Sequence, residues 1–97
     1  MIKDFDNLIS SGIHLVDFYA DWCGPCKVMS QILESIKDDV DIIKINTDLN
    51  PKLVFKYRIM SIPTIIIFKD GKILKEIVGL IAEDELKEVI NKIKEGN

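Results

Sequence analysis

The two cysteines of this chain, Cys23 and Cys26, are separated by only two residues. Two thiols this close can join as a disulfide and part again as a dithiol, which completes a two-electron cycle within one chain. A single thiol could not complete that cycle alone. The spacing therefore predicts, first of all, redox chemistry at this pair.

A zinc site is the alternative use of a C-x-x-C pair, which would supply half of its four ligands. Such a site needs two more cysteines or histidines, and the sequence has no third cysteine and one histidine, His14. We therefore predict no metal site, unless two chains shared one. His14 and the three methionines are interpreted as packing residues.

The cysteines lie where a predicted strand gives way to a predicted helix. Residues 13–19 are apolar on both faces apart from two polar positions, and residues 27–37 repeat apolar side chains at helical spacing. The N-terminus of a helix has unpaired N–H groups and a partial positive charge, which favour thiolate over thiol at the first cysteine. We expect Cys23 to be the nucleophile.

The two residues between the cysteines suit the same junction. Pro25 fits the first helical turn, where its missing N–H costs nothing. Gly24 leaves Cys23 uncrowded for an approaching disulfide. Gly24, Gly71 and Gly79 form no phosphate-binding spacing, so we predict no bound cofactor.

The remaining elements follow from hydrophobic periodicity and turn residues. They are a helix at 3–10, a strand at 40–46, a short helix from Pro51 to about Tyr57 with Asn50 as N-cap, a strand at 62–68, a hairpin turn at Asp70 and Gly71, a returning strand at 72–78 and a final helix that begins near Glu83. The order α-β-α-β-α-β-β-α predicts an α/β fold, in which helices cover both faces of a mixed sheet of about four strands.

Composition limits the classes of protein that the chain can belong to. With 97 residues, 47% of them hydrophobic, it is predicted to form a single domain over residues 1–97. The net charge of −3 is spread along the chain and indicates neither a nucleic-acid nor a membrane partner. No signal-peptide pattern opens the sequence, so we expect a cytoplasmic protein, and we expect it to be a monomer.

Residues 16–27, which read Val-Asp-Phe-Tyr-Ala-Asp-Trp-Cys-Gly-Pro-Cys-Lys, resemble the active-site segment of the thioredoxin family. The resemblance extends over about residues 5 to 95, and the thioredoxin fold has the element order predicted above. It implies a reductant of protein disulfides. Its partners would be disulfide-containing target proteins and a thioredoxin reductase, which would restore the dithiol and hold any nicotinamide or flavin.

Asp17 is an acid in an otherwise apolar strand, and a buried carboxylate needs either a partner or a proton. A solvated acid at a strand end is the alternative interpretation. The resemblance implies that Asp17 is the family's buried acid beneath the cysteines, which helps to move the proton of the second thiol. Lys44, on the neighbouring predicted strand, is its candidate partner; a lysine that extends to solvent is the alternative.

The segment Ser61-Ile62-Pro63-Thr64 is similar to the family's cis-proline loop, which faces the cysteines. The resemblance implies that the Ile62 backbone offers a substrate a short strand pairing. Trp22 and Gly79 match positions that flank the same groove. Core packing is the alternative for Trp22, although its place in a loop beside Cys23 favours partial exposure.

The chain departs from the family pattern at several places. Gln31 stands where many members have a helix-kinking proline, Tyr19 where many have tryptophan, and Ala82 replaces a usual capping residue. No segment before the first predicted helix matches the family's N-terminal edge strand, so we expect four strands. The resemblance therefore does not carry over to stability, helix shape or the reductase contact at these positions, and we expect the cysteine chemistry to be intact.

Two other functions remain open from the sequence. The chain could be a binding module in which this fold is a docking face and the cysteines are incidental. Within enzymes, it could be a glutathione-linked or oxidising relative of the disulfide reductants.

Overall fold

The computed structural model describes residues 4–96, so the start of the first helix, predicted at residue 3, lies outside the described residues. Its elements are α1 (Phe5–Leu8), β1 (Ile13–Tyr19), α2 (Gly24–Ser35), β2 (Asp41–Asn46), α3 (Pro51–Lys56), β3 (Thr64–Lys69), β4 (Lys72–Val78) and α4 (Glu83–Glu95). The predicted order of helices and strands is confirmed.

The strands form one mixed sheet in the order β2-β1-β3-β4. β1 runs parallel to β2 and antiparallel to β3, and β4 returns antiparallel to β3. The turn between β3 and β4 has positive φ angles at Asp70 (52°) and Gly71 (84°), as a two-residue type I′ hairpin requires. The predicted four strands and the predicted hairpin are both present.

Alternate residues of β1 enter two separate hydrophobic clusters, because successive side chains of a strand point to opposite faces. Leu15 packs against α2 and α4, in a cluster of Leu15, Met29, Leu33, Ile36, Val40, Ile65, Ile67, Ile81, Leu86 and Ile90. Val16 and Phe18 pack on the other face, in a cluster of Phe5, Ile9, Val16, Phe18, Ile45, Ile66 and Phe68. β1 is thus a central strand, as predicted.

The short helix α1 is held to this second face by aromatic contacts. The ring of Phe5 meets Phe68 and Tyr57 edge-on, with centroids 5.8 Å apart in each case. Leu8 at the end of α1 is exposed, whereas Phe5 and Ile9 on either side of it are buried.

Helix α2 begins three residues earlier than predicted and includes Gly24, Pro25 and Cys26. Met29 and Leu33 on its inner face are buried, but Val28, another apolar residue of the predicted helical repeat at 27–37, is half exposed. The inward stripe is therefore narrower than the sequence pattern indicates.

Helix α3 begins at Pro51 as predicted, but Asn50 makes no side-chain capping bond to it. The Asn50 amide instead donates to the carbonyl of Asn46, 2.9 Å away. Ala82 occupies the N-cap of α4 without a side-chain bond, and three acids in the first turn face the helix dipole there.

Two residues interpreted as packing are not core residues. His14 Nδ1 lies 2.7 Å from Asp41 Oδ2, and its Nε2 lies 2.7 Å from the carbonyl of Ser11, so this ring links three segments by polar contacts. Met60 is 93% exposed, whereas Met29 is buried as expected.

Candidate active site

Cys23 and Cys26 are joined by a disulfide at the N-terminus of α2. Cys23 is the N-cap residue, and its Sγ accepts a hydrogen bond of 3.1 Å from the backbone N–H of Cys26. The two residues are only 4% and 3% exposed. The first sulfur thus faces the unpaired N–H groups and the positive end of the helix dipole, both of which stabilise negative charge.

The residues between the cysteines occupy the first helical turn. Pro25 lies at its start, where no intrahelical partner is needed for its nitrogen. Gly24 and Pro25 are exposed, and a side chain at Gly24 would meet nothing within 4 Å. The outer side of the disulfide is therefore uncrowded, although the short loop does not itself demand glycine.

The segment before β3 lies against the cysteines. The Ile62-Pro63 peptide bond is cis, which confirms the prediction for this loop. Ile62 packs on the cluster formed by Ala20, Cys23 and Cys26. Gly79, at a φ of 87°, donates its backbone N–H to the carbonyl of Pro63 at 2.8 Å and so lies beside the same loop.

Trp22 is 71% exposed, so the packing interpretation of this residue is wrong. Its indole N–H donates to Asp48 Oδ2 at 2.9 Å, and Asp48 lies in the loop after β2. This bond holds the ring at the surface beside Cys23.

Asp17 is completely buried, and within residues 4–96 neither oxygen of its carboxyl group has a hydrogen-bond partner. It points to the same face of β1 as Leu15 and Tyr19, beneath α2. Burial raises the pKa of Asp17 from 3.8 to about 6, and the charge of Lys44 opposes this rise. The solvated alternative for Asp17 is therefore wrong.

Lys44 lies opposite Asp17 in the parallel register of β1 and β2 but makes no direct bond to it. Its ammonium group donates to Ser30 Oγ at 2.8 Å and lies 5.2 Å from the centre of the Tyr19 ring. The candidate ion pair predicted for Asp17 and Lys44 is thus reduced to a longer-range electrostatic interaction.

A small cavity of about 150 Å³ lies beside the second cysteine. Its lining consists of Tyr19, Ala20, Asp21, Cys26, Lys27, Ser30 and Lys44. Cys26 and Lys44 therefore border the same cavity.

Sequence reasoning missed two residues that hold predicted site residues in position. Ser30 anchors Lys44, and its signal was available, because Ser30 follows Cys26 by four residues and so shares a helix face with it. Asp48 anchors Trp22 across 26 residues of sequence, and no local pattern indicates that pairing.

Residues 4–96 contain no group of three or more His, Cys, Asp or Glu side chains that could hold a metal ion. In that range no helix has the length and apolar character needed to cross a membrane.

A cysteine pair at a helix N-terminus, packed against the loop of a cis-proline in a fold that buries an acid in its central strand, defines the class of thiol–disulfide oxidoreductases. The sequence model of the family described as Thioredoxin matches residues 2–92. The chain therefore belongs to the thioredoxin family.

Individual relatives agree with this assignment. Thioredoxin from Staphylococcus epidermidis is 47% identical over 94 residues, which cover 93% of this chain and 90% of the relative. Thioredoxin from Staphylococcus aureus is 46% identical, with coverage of 92% and 89%. A solved mutant thioredoxin from Halobacterium salinarum superposes with a TM-score of 0.87 at 37% identity, over 95% of this chain and 84% of that one. The predicted thioredoxin fold is confirmed, and the chain is a thiol–disulfide oxidoreductase.

Proposed function

We propose that this chain reduces disulfides in target proteins, with Cys23 as nucleophile and Cys26 as resolving thiol. The observation that carries the proposal is the position of Cys23 at the N-cap of α2, where the Cys26 N–H donates to its sulfur. Donors aimed at the sulfur favour the thiolate, which is the reactive form in disulfide exchange.

In the first step, the Cys23 thiolate attacks one sulfur of the target disulfide. The target S–S bond breaks, a mixed disulfide with Cys23 forms, and the displaced target thiolate takes up a proton. In the second step, the Cys26 thiol gives its proton to Asp17 and attacks the Cys23 sulfur. The second target sulfur leaves as a thiolate, so two electrons have passed from the dithiol to the target.

The environment of Asp17 supports its role as proton acceptor. A carboxyl group with a pKa of about 6 is mostly deprotonated at neutral pH, yet holds a proton more strongly than an ordinary aspartate does. The 150 Å³ cavity borders both Cys26 and Lys44 and is proposed as the route by which protons reach solvent. Lys44 is proposed to act through its charge and not by direct contact.

The loop before β3 is proposed to bind the substrate backbone. Ile62 is half-buried beside the disulfide, and within residues 4–96 its N–H and C=O have no hydrogen-bond partner. An extended target segment can pair with these groups as a short added strand. Trp22, Gly24, Pro25, Pro63 and Gly79 would line the groove around that segment.

The partners in this proposal are disulfide-containing proteins and a thioredoxin reductase that restores the dithiol. The protein would work as a single-domain monomer in the cytoplasm, where the reducing poise keeps such a pair available as a dithiol. It needs no cofactor of its own, since electrons enter and leave through the two sulfurs.

Trapping of target proteins tests the assignment of the two cysteines. Cys26→Ser should accumulate mixed disulfides with target proteins, because Cys23 still attacks and nothing resolves the adduct. Cys23→Ser should accumulate none. Non-reducing mass spectrometry of the two variants decides the roles, and equal trapping would contradict them.

The two rival functions give different results in simple comparisons. A docking module would keep its biological activity in the Cys23→Ser/Cys26→Ser double variant, whereas a reductant would lose it. Reduction of a disulfide protein with NADPH and thioredoxin reductase, compared with glutathione and glutathione reductase, separates a thioredoxin from a glutathione-linked relative.

A further inference from the structure

An open groove of about 570 Å³ runs along the outer side of α3. It is lined by Thr47, Pro51, Val54, Phe55, Lys56, Arg58, Ile59 and Met60. Phe55 is 86% exposed and Met60 is 93% exposed, so the two most exposed large apolar side chains in residues 4–96 border the same groove. We call this surface the α3 groove.

Two residues that line the α3 groove are next to segments of the active site. At one end, the backbone N–H of Thr47 donates to the carbonyl of Tyr19 at 2.8 Å, three residues before Trp22. At the other end, Met60 precedes by two residues Ile62, which packs against the disulfide. A protein segment whose disulfide reaches Cys23 can therefore contact this groove as well.

The groove lies in a basic part of an acidic chain. Residues 51–69 contain four cations and no aspartate or glutamate, although the whole chain has a net charge of −3. Lys56 is partly neutralised by Asp6, 3.0 Å away. Arg58 is exposed, and its guanidinium group makes no ion pair within residues 4–96. Asp48, the acid that follows Thr47, is already engaged by Trp22.

Arg58 also occupies an unfavourable backbone position. Its φ is 55°, and it follows α3 in a Schellman motif, in which the Arg58 N–H donates to Phe55 and the Ile59 N–H donates to Val54. Glycine is the usual residue there, because any Cβ disfavours left-handed backbone. The chain's one arginine thus stands at a strained position on the rim of the groove, which indicates a role other than folding.

We propose that the α3 groove is a docking surface for an acidic segment beside the disulfide of a target protein, with Arg58 as the residue that selects for acidic charge. This inference rests on the proposed function, because it concerns the targets of the same dithiol. Phe55 and Met60 offer apolar contact area, and Arg58 supplies a charge of the opposite sign to the partner's.

Two disulfide peptides that differ only in the two residues flanking the disulfide, Glu in one and Lys in the other, test this selectivity. The dithiol form of the full chain should reduce the acidic peptide about three-fold faster than the basic one at low salt. The ratio should fall towards one at about 0.5 M salt, since exposed charges are then screened. Equal rates at low salt would overturn the inference.

Variants of Arg58 separate charge selection from folding. Arg58→Glu should reverse the preference, and Arg58→Lys should keep it. Lys75→Glu, the same charge change on exposed β4 outside the groove, should leave the ratio near the wild-type value. If Arg58→Glu and Lys75→Glu alter the ratio equally, net charge alone explains the preference and the groove has no special role.

Arg58→Gly gives a readout that a purely structural role would not produce. Glycine relieves the positive φ, so this variant should withstand more denaturant than the wild type while losing the preference for the acidic peptide. A variant that keeps the preference would contradict the role of Arg58. If the wild-type dithiol reduces neither peptide, the proposed function fails and the inference falls with it, whereas equal reduction of both removes the inference alone.

Discussion

Lys44 lies directly across from Asp17 in the pairing of β2 with β1, yet its ammonium group donates to Ser30 and not to the buried carboxylate. Asp17 therefore stays without a hydrogen bond in the interior, and its pKa is raised to about 6. An unpaired buried acid costs folding free energy whenever it is charged.

Asp17→Asn is expected to stabilise the oxidised protein at neutral pH. The folded pKa of Asp17, about 6, exceeds the ordinary value of 3.8, so the native state binds the proton more tightly than the unfolded chain does. The stabilisation that comes from tighter proton binding at Asp17 is fully present below about pH 4 and is lost as the pH rises through about 6. Removing the charge should then raise the free energy of unfolding by about 1 to 3 kcal/mol at pH 7 to 8. Denaturant unfolding of the wild type and the variant from pH 4 to 8 measures this difference in unfolding free energy.

Asp21→Asn is the matched control, because Asp21 is an exposed acid four residues further along. The free energy of unfolding of the Asp21→Asn variant should equal that of the wild type at every pH measured. A lower stability of Asp17→Asn than of the wild type at pH 7, or a difference that does not vary with pH, would show that the charge of Asp17 is not the cause.

Lys44→Met is expected to destabilise the protein above pH 6. The positive charge of Lys44 lowers the pKa of Asp17, so its loss raises that pKa further and enlarges the cost of ionising the acid. The effect should be about 1 kcal/mol or less, since Lys44 is exposed and solvent screens its charge. Unfolding free energies at pH 5 and pH 8 should differ from the wild type only at the higher pH.

A double-mutant cycle identifies the route of this effect. In the Asp17→Asn background, Lys44→Met should no longer change the pH dependence, because the group on which it acts is gone. A change of equal size in both backgrounds would instead assign the effect to the lost bond with Ser30.

Asp17→Asn should also slow resolution of the mixed disulfide. Cys26 would lose its proton acceptor, and general-base catalysis contributes a factor of about 100 or more in typical enzymes. Rapid-quench measurements should show the adduct with Cys23 forming at the normal rate and decaying at least ten-fold more slowly. Decay at the wild-type rate would remove Asp17 from the mechanism.

The hairpin allows a comparison of one residue type in two environments. Ile67 in β3 is fully buried, whereas Ile73 in β4 is 52% exposed. Ile67→Ala should cost about 2 to 5 kcal/mol of unfolding free energy through lost burial and the cavity left behind. Ile73→Ala should cost well under half as much by the same measurement. Similar losses would mean that β4 is covered by a partner in solution.

Local pattern was enough to predict β1, the hairpin and the order of elements. The double-sided apolar run at 13–19 can be satisfied only between two layers, and Asp70 and Gly71 tolerate the positive φ angles of a tight turn. The cysteine pair was equally visible, because its chemistry depends on two residues three positions apart. These features need only the chain itself and its immediate neighbours.

Contacts across long separations were decided by the tertiary structure. Lys44 was predicted beside Asp17 from strand order alone, and β1 and β2 do bring them into register, but Ser30 on α2 and the Tyr19 ring draw the ammonium group away. The length and freedom of a lysine side chain allow several partners within its reach. Only the packing of α2 over the sheet selects one of them.

The exposure of the residues that border the α3 groove likewise could not be predicted from local sequence pattern. Met60 was interpreted as a packing residue because its type is apolar, and the structure leaves it open beside Phe55 and Arg58. Residue type and spacing determine which chemistry the chain carries and which segments must be buried. The direction in which α3 and the cis-proline loop leave the sheet determines what surrounds the disulfide, because that direction depends on the packing of distant segments against one another.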